Sequence, residues 1–237
     1  LQTDWYIDQM KRPAYNSPSL PISWNRMEYV EGTNEYVPIR ADYKKSIDGL
    51  YAEAKQKALD GHKETLVDLE KQFGENPYEL KNILKYWVRG KREDLKVIPT
   101  DSIVMKVDKE AVRLSGMMIP GDSIPDYMTI SLKGKRALYK SELMMLEMLA
   151  ESNWERPLYM AISVGTENHL NMDNHFIQEG LAYRFTPFDN SKTGVKLDSE
   201  KMYDNVMHKF KFGNINKPGL YIDENAMRMC YSHRRLF

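Results

Sequence analysis

From Ile98 onward, short apolar runs typical of strands alternate with helical patterns, and this alternation constrains the fold more than any other feature. Residues 103–107 and 181–185 are predicted to be strands, and an apolar helix is predicted between them from Ser141 to Glu151. Residues 158–164 form a near-continuous apolar run, which is typical of a strand covered on both faces in a parallel sheet. The alternation predicts an α/β fold in which a mixed or mostly parallel sheet is flanked by helices.

Connections and helix ends give four more local predictions. Two strand-like runs, residues 127–132 and 136–139, flank a Lys-Gly-Lys turn and predict a hairpin. A short helix is predicted over residues 174–179. Ser199 is expected to cap a helix, and Asp223 to cap a last helix that runs on to the end of the chain.

Residues 42–96 have a different pattern. Apolar side chains recur at helical spacing in three runs, which end near Gly61, Gly74 and Gly90. This segment is predicted to be a helical insertion or subdomain. The whole chain, residues 1–237, is expected to form one soluble α/β domain.

Charge and composition exclude several classes of protein. The 34 basic and 34 acidic residues give a formal net charge of zero, so no nucleic-acid partner is expected. The single cysteine, Cys230, excludes an internal disulfide. No apolar run reaches the ~18 residues that a membrane span needs.

Motifs that bind cofactors or build a nucleophile are absent. The sequence lacks the phosphate loop, the dinucleotide-binding glycine pattern and the nucleophile elbow, so no cofactor and no catalytic residue are predicted. His169, Asp173 and His175 are the densest group of metal-ligand types. The same residues are common where a loop caps a short helix, and no metal site is assigned to them.

Several long segments, in a fixed order, carry a resemblance to a known family. They are TDWYIDQM (3–10), LPISW (20–24), NWERPLY (153–159), EGLAYR (179–184), MYDN (202–205), KF (209–210), FGN (212–214) and YIDEN (221–225). With these the chain resembles the soluble portion of a Bacteroidetes membrane-protein family, domain of unknown function 2723. That family is itself similar to the multi-spanning protein O-mannosyltransferases of the GT-C class.

The resemblance implies a fragment of a longer membrane protein, with a bundle of membrane helices before Leu1. In GT-C enzymes the assisting acid lies between early membrane helices, so this chain is expected to be a non-catalytic accessory domain. It would lie at the periplasmic face of the inner membrane, with the parent's membrane helices, a glycan or an acceptor protein as partners. One alternative is a periplasmic binding or scaffolding module without a transferase role. A free-standing carbohydrate-active enzyme is another, and whether the parent is an active transferase stays open.

Five residues within the shared motifs are candidates for ligand binding. Trp154, Arg156 and Tyr159 are expected at a helix-to-strand junction, and Glu179 and Arg184 at the next junction. An aromatic face beside Arg and Glu suits a sugar, because the ring stacks while charged groups bind its hydroxyls. The alternative is structural, with a buried ion pair between Arg156 and Glu179 and with Trp154 as a core anchor.

Two serines fit a short acceptor pattern for O-glycosylation. Ser102 and Ser123 each follow Asp and precede Ile, as in the D-[ST]-aliphatic pattern associated with Bacteroidetes. Three-residue patterns recur by chance. If the domain is periplasmic, either serine is a candidate for modification.

Overall fold

The computed structural model describes residues 1–90, 96–118, 123–191, 194, 196–211, 213–215 and 217–233. The chain divides into two compact units. The first unit comprises Leu1–Pro157 and Thr166–Asp173, and the second comprises Leu158–Gly165 and Asn174–Phe237. The prediction of one domain over residues 1–237 stays a prediction.

The first unit is a mixture of helices and short strands. Its elements are α1 (Asp4–Met10), α2 (Arg26–Tyr29), β1 (Tyr36–Pro38), α3 (Tyr43–Leu59), α4 (Glu64–Phe73), α5 (Leu80–Asn82) continued by a π-helical turn (Ile83–Val88), β2 (Ser102–Lys106), α6 (Lys109–Leu114), β3 (Tyr127–Ser131), β4 (Ala137–Tyr139) and α7 (Lys140–Ser152). A 3₁₀ turn, Thr166–Asn168, belongs to its second segment. The helices α3 to α5 form as the spacing of apolar residues in 42–96 predicts.

The β2–β3 pair forms the core strands of the first unit. Every second side chain of β2 points inward, and the antiparallel register sets Ile103 opposite Ile130 and Met105 opposite Met128. All four side chains are at most 5% exposed. The alternation of the sequence therefore predicts the buried face of this pair correctly.

The predicted hairpin over residues 127–139 is wrong, although its two strands exist. β3 pairs with β2, and β4 pairs antiparallel with β1, which lies about a hundred residues earlier in the chain. Leu138 of β4 stands opposite Val37 of β1, and both are buried. Burial against distant strands stabilises the two strands separately, so the Lys-Gly-Lys turn connects two sheets.

The second unit contains a three-stranded sheet and two helices. Its elements are β5 (Tyr159–Ala161), β6 (Phe176–Gln178), β7 (Ala182–Phe185), α8 (Ser199–Asp204) continued by a π-helical turn (Asn205–Lys209), and α9 (Glu224–His233). The strand order is β5-β7-β6, and both pairings are antiparallel. No helix in the described ranges of either unit combines the length and apolar character needed to cross a bilayer.

The mixed α/β prediction is confirmed, and its mostly parallel form is wrong. All pairings between the described strands are antiparallel. The apolar run 158–164 suggested a covered parallel strand, yet only Tyr159–Ala161 is a strand. It lies at the sheet edge, and the Tyr159 side chain is 54% exposed.

Helix ends in the second unit were predicted in part. Residues 174–179 form a 3₁₀ turn (Asp173–His175) and β6, so the predicted helix there is wrong. Asp198, one residue before Ser199, caps α8 by accepting a hydrogen bond from the Lys201 amide. Asp223 caps α9 as predicted, since its Oδ1 accepts from two amides of the first turn. The predicted continuation of α9 over residues 234–237 lies outside the described residues.

One acidic side chain of the first unit is buried inside α7. Glu147 is 1% exposed, and its Oε1 accepts hydrogen bonds from the Ser23 amide at 2.9 Å and the Ser23 hydroxyl at 2.6 Å. Burial raises the pKa of the Glu147 carboxyl, although both bonds from Ser23 lower it. The folded chain therefore holds this proton at a pH where the unfolded chain has released it.

Glu147→Gln is expected to flatten the pH dependence of stability in the first unit. With the folded pKa above the unfolded value of 4.5, the stability contributed below that value is lost as the pH rises through the folded pKa. Urea unfolding followed by tryptophan fluorescence from about pH 4 to pH 8 measures this loss. The natural chain should lose more stability over this range than the Glu147→Gln variant. Parallel curves for the two chains would contradict the prediction.

Candidate functional site

Three of the five predicted ligand-binding residues lie together in the second unit. The β5–β7 register sets Tyr159 directly opposite Arg184, and Glu179 directly follows the last residue of β6. The Glu179 amide donates to the Ala182 carbonyl, which closes the tight connection to β7. The turn needs Gly180, because its φ is +124° and a Cβ there would approach Phe210 at 3.1 Å. The sheet itself thus places Tyr159, Glu179 and Arg184 in one cluster.

A buried ion pair is the centre of this cluster. Arg184 Nε lies 2.6 Å from Glu179 Oε1, and the two residues are 1% and 6% exposed. Two more charged residues join the pair, the N-cap Asp198 and Lys201 of α8. Arg184 Nη2 lies 3.5 Å from Asp198 Oδ2, and Lys201 Nζ lies 3.2 Å from Glu179 Oε1. We call these five residues, Tyr159, Glu179, Arg184, Asp198 and Lys201, the charged cluster.

Tyr159 is the exposed edge of the charged cluster. Its hydroxyl donates to Glu179 Oε2 at 3.2 Å, while about half of the residue faces solvent. Burial, and then the negative charge of Glu179, raise the pKa of the Tyr159 hydroxyl. The hydroxyl therefore stays a hydrogen-bond donor at neutral pH. Of the cluster, the ring of Tyr159 offers the most surface to a ligand.

The charged cluster joins the sheet to α8 through ion pairs. Two carboxylates face one guanidinium and one ammonium, so the formal charges cancel. Charge-assisted hydrogen bonds of this kind fix side chains and tie the sheet to α8. Asn205 adds to the link, because its side-chain amide donates to the Glu179 carbonyl at 2.6 Å.

Sequence reasoning missed Asp198 and Lys201. Their signal was present, since an acid three residues before a lysine at a helix start predicts a cap and a neighbouring charge. Nothing in the sequence, however, states that this helix start packs against Glu179. The structure pairs Glu179 with Arg184, and the ion pair of Glu179 with Arg156 stays a prediction.

Trp154 and Arg156 belong to the first unit and serve its packing. Trp154 is 2% exposed, and its indole N–H donates to the Lys106 carbonyl at 2.9 Å. Arg156 Nη1 donates to the Ser19 carbonyl at 2.9 Å. Trp154 therefore fits the structural alternative of a core anchor, and its ring face is not open to solvent.

The backbone at this motif is strained. Asn153 ends α7 with φ +45°, and Trp154 follows with φ +64°, so two consecutive residues other than glycine are left-handed. Such residues cost on the order of 1–3 kcal/mol each and persist only where packing holds them. Here the buried indole fixes Trp154, and Lys81 Nζ donates to Asn153 Oδ1 at 2.7 Å.

The strained motif borders a polar cleft of about 580 Å³ in the first unit. Both charge signs line the cleft, which holds Glu79, Lys81, Lys106, Asp108, Lys109, Glu110 and Arg113 among its residues. Sequence reasoning did not find this cleft. Its residues come from three distant parts of the chain and share no motif.

A family model, TMEM260-associated domain 2, matches residues 1–206. The chain belongs to this family. The match extends over most of the chain and includes the whole charged cluster. The comparison with curated proteins and that with solved structures gave no match.

Membership of TMEM260-associated domain 2 confirms the coarser part of the resemblance. The family describes a domain that accompanies a membrane protein, so the chain is an accessory domain of such a protein. The five candidate ligand-binding residues and both acceptor serines fall inside the matched range. Their roles in ligand binding and modification stay predictions.

The remaining candidates of this TMEM260-associated domain are placed as follows. His169 Nδ1 lies 2.7 Å from Asp173 Oδ1, and His175 belongs to the second unit, where burial lowers the pKa of its imidazole. Among the described residues, no three His, Cys, Asp or Glu side chains form a group that suits a metal ion. Ser102 is half-buried within β2, whereas Ser123 is exposed and outside regular structure.

Proposed function

We propose that the chain is an extracytoplasmic accessory domain of a GT-C-like glycosyltransferase, similar to the protein O-mannosyltransferases. The observation that carries the proposal is the family match over residues 1–206, which makes the chain an accessory domain of a membrane protein. The motifs shared with domain of unknown function 2723 support the finer assignment. In this proposal the domain lies on the periplasmic side and its partner is the membrane-helix portion of its own parent.

The geometry supports a positioning role for this domain in place of a catalytic one. The carboxylate of Glu179 is held by a guanidinium, an ammonium and a tyrosine hydroxyl at once. A general acid or base must come within hydrogen-bond distance of the substrate, whereas Glu179 is 6% exposed. A carboxylate so fully paired is suited to fixing the shape of a surface. We assign the transfer chemistry to the membrane portion of the parent.

Labelled mannose transfer by the full-length parent tests the proposal. Membranes carrying the parent, with and without residues 1–237, are given a polyprenyl-phosphate mannose donor and periplasmic acceptor proteins. The intact parent is expected to transfer label, and the deletion to lose most transfer. The control is the amount and the gel-filtration profile of the detergent-extracted membrane portion, which should not change.

The outcomes separate the proposed function from its alternative. Equal transfer by the intact and the shortened parent would contradict an accessory role. Absence of transfer by the intact parent, with several donor sugars, would contradict the transferase assignment and favour a periplasmic scaffolding module.

A further inference from the structure

A shallow basin of about 680 Å³ lies on the first unit, away from the residues discussed so far. Trp5 of α1 and Tyr139 of β4 contribute aromatic rings to its wall, and Glu31, Glu35 and Arg26 contribute charged groups. The basin is thus bordered by aromatic and charged side chains from four separate parts of the chain.

The tryptophan of the basin, Trp5, is far more exposed than the other tryptophans. All four tryptophans of the chain lie in described residues of the first unit, and three of them, Trp24, Trp87 and Trp154, are at most 2% exposed. Trp5 is 66% exposed, and Tyr139 is 62% exposed. Tyr139 also contacts the ring of Tyr36 across the β1–β4 pair, with ring centroids 6.5 Å apart. Large aromatic rings contribute most to stability when they are buried, so folding alone gives little reason for the exposure of Trp5. Exposed ring faces at a concave surface indicate a ligand.

A buried lysine anchors two of the basin's carboxylates. Lys140 is 3% exposed, and its Nζ lies 2.7 Å from Glu35 Oε1 and 3.1 Å from Asp4 Oδ1. The ammonium holds both carboxylates in place, and each keeps part of its surface in solvent. Fixed acceptors bind a ligand without losing side-chain entropy on binding.

Glu31 adds an acceptor that is exposed at the rim. With Asp4 and Glu35 it gives three acids, against two basic groups, Arg26 and Lys140. A ligand that suits the basin offers hydroxyl or N–H donors to these carboxylates and an apolar face to the aromatic rings. A pyranose ring does both, because its C–H face packs on an aromatic ring while its hydroxyls donate to the acids.

We infer that the basin of Trp5, Tyr139, Glu31 and Glu35 binds a sugar ring of a neutral glycan. The choice of a glycan as the ligand rests on the proposed function. The distances, exposures and charges that define the site are independent of it. A membrane surface is the other use for exposed Trp and Tyr, since these residues are enriched at bilayer interfaces. The three carboxylates outnumber the two basic groups of the basin by one, and this excess of negative charge opposes contact with anionic headgroups, so the sugar is favoured.

Titration with simple methyl glycosides tests the inference directly. The 237-residue chain is titrated with the methyl glycosides of mannose, glucose, galactose and N-acetylglucosamine, and binding is read by saturation-transfer NMR. Because Trp5 is the exposed indole, acrylamide quenching of tryptophan fluorescence gives a second readout. At least one glycoside is expected to bind in the millimolar range and to protect the fluorescence from acrylamide.

Three variants connect the binding to the basin. Trp5→Ala and Tyr139→Ala should each weaken binding about threefold to tenfold, as expected for loss of one aromatic partner. Glu31→Gln keeps the shape of the rim and should weaken binding about twofold to fivefold by removing a charged acceptor. Tyr221→Ala is the matched control, because Tyr221 is 87% exposed in the second unit and should leave binding unchanged.

Three results would each overturn the inference. The first is that no glycoside binds, and the second is that Trp5→Ala and the natural chain bind equally. The third is binding of phosphatidylcholine or phosphatidylglycerol vesicles that depends on Trp5, while no sugar binds. Mannose transfer by the parent is measured separately. If the parent transfers and the basin binds no sugar, the inference fails and the proposed function stands. If the basin binds sugar and the parent does not transfer, the inference stands and the proposed function fails.

Discussion

Arg184→Met is expected to lower the free energy of unfolding of the second unit by about 3–5 kcal/mol. Arg184 is 1% exposed, and its loss leaves Glu179 buried with Lys201 at 3.2 Å as its remaining basic partner. Removing one member of a buried pair is costly because the other charge keeps its desolvation penalty. The double variant with Glu179→Gln should therefore lose less stability than the sum of the two single variants.

Amide hydrogen exchange measures this loss where it occurs. All four tryptophans lie in the first unit, so fluorescence does not report on the second unit. Peptides that cover β6 and β7 should exchange faster in the variant. Arg228→Met is the control, because the Arg228–Glu224 pair is 73% and 81% exposed and such pairs contribute little. Equal protection in the Arg184 and Arg228 variants would contradict the structural role of the charged cluster.

Trp154→Ala is expected to lower the free energy of unfolding of the first unit by about 3–5 kcal/mol. The substitution removes a buried ring and the hydrogen bond that its N–H donates to the Lys106 carbonyl. Trp154→Phe retains most of the ring and loses the donor, so a smaller loss of about 1–3 kcal/mol is expected. Urea unfolding followed by the fluorescence of the remaining tryptophans measures both.

The exposed Trp5 supplies the matched control for Trp154. Trp5→Ala should change the unfolding free energy by less than about 0.5 kcal/mol, because the ring is 66% exposed. The two substitutions are thus expected to have different effects, with Trp154→Ala lowering stability and Trp5→Ala weakening sugar binding. Unchanged stability in Trp154→Ala, together with loss of glycoside binding, would instead favour the ligand-binding role first predicted for Trp154.

Local patterns predicted the elements of the fold better than their partners. The spacing of Ile47, Tyr51 and Ala54 predicts α3, and the alternation of Ile103 and Met105 predicts β2, because burial follows the period of each element. The partner of β3 depends on which distant strand buries its side chains. A turn sequence such as Lys-Gly-Lys carries no information on that choice, so the hairpin prediction failed.

The residues of the site that lie in local motifs were predicted, whereas those that join it through packing of distant segments were not. Tyr159, Glu179 and Arg184 were found because they lie in long motifs, and the sheet register brings them together. Asp198 and Lys201 enter the cluster through packing of α8 on the sheet, which no local pattern encodes. The basin at Trp5 escaped notice because its residues come from four separate segments.

The order of the two units along the chain has a consequence for biosynthesis. The second segment of the first unit, Thr166–Asp173, carries Leu170 and Met172, each 1% exposed, and Asn171, whose side chain donates to the Ser131 carbonyl. A ribosome that has made residues 1–157 has therefore not yet supplied the last part of this core. The nascent first unit therefore stays incompletely packed until Asp173 has left the exit tunnel. Chaperone contact during translation is consequently expected on the surface that Leu170 and Met172 later cover.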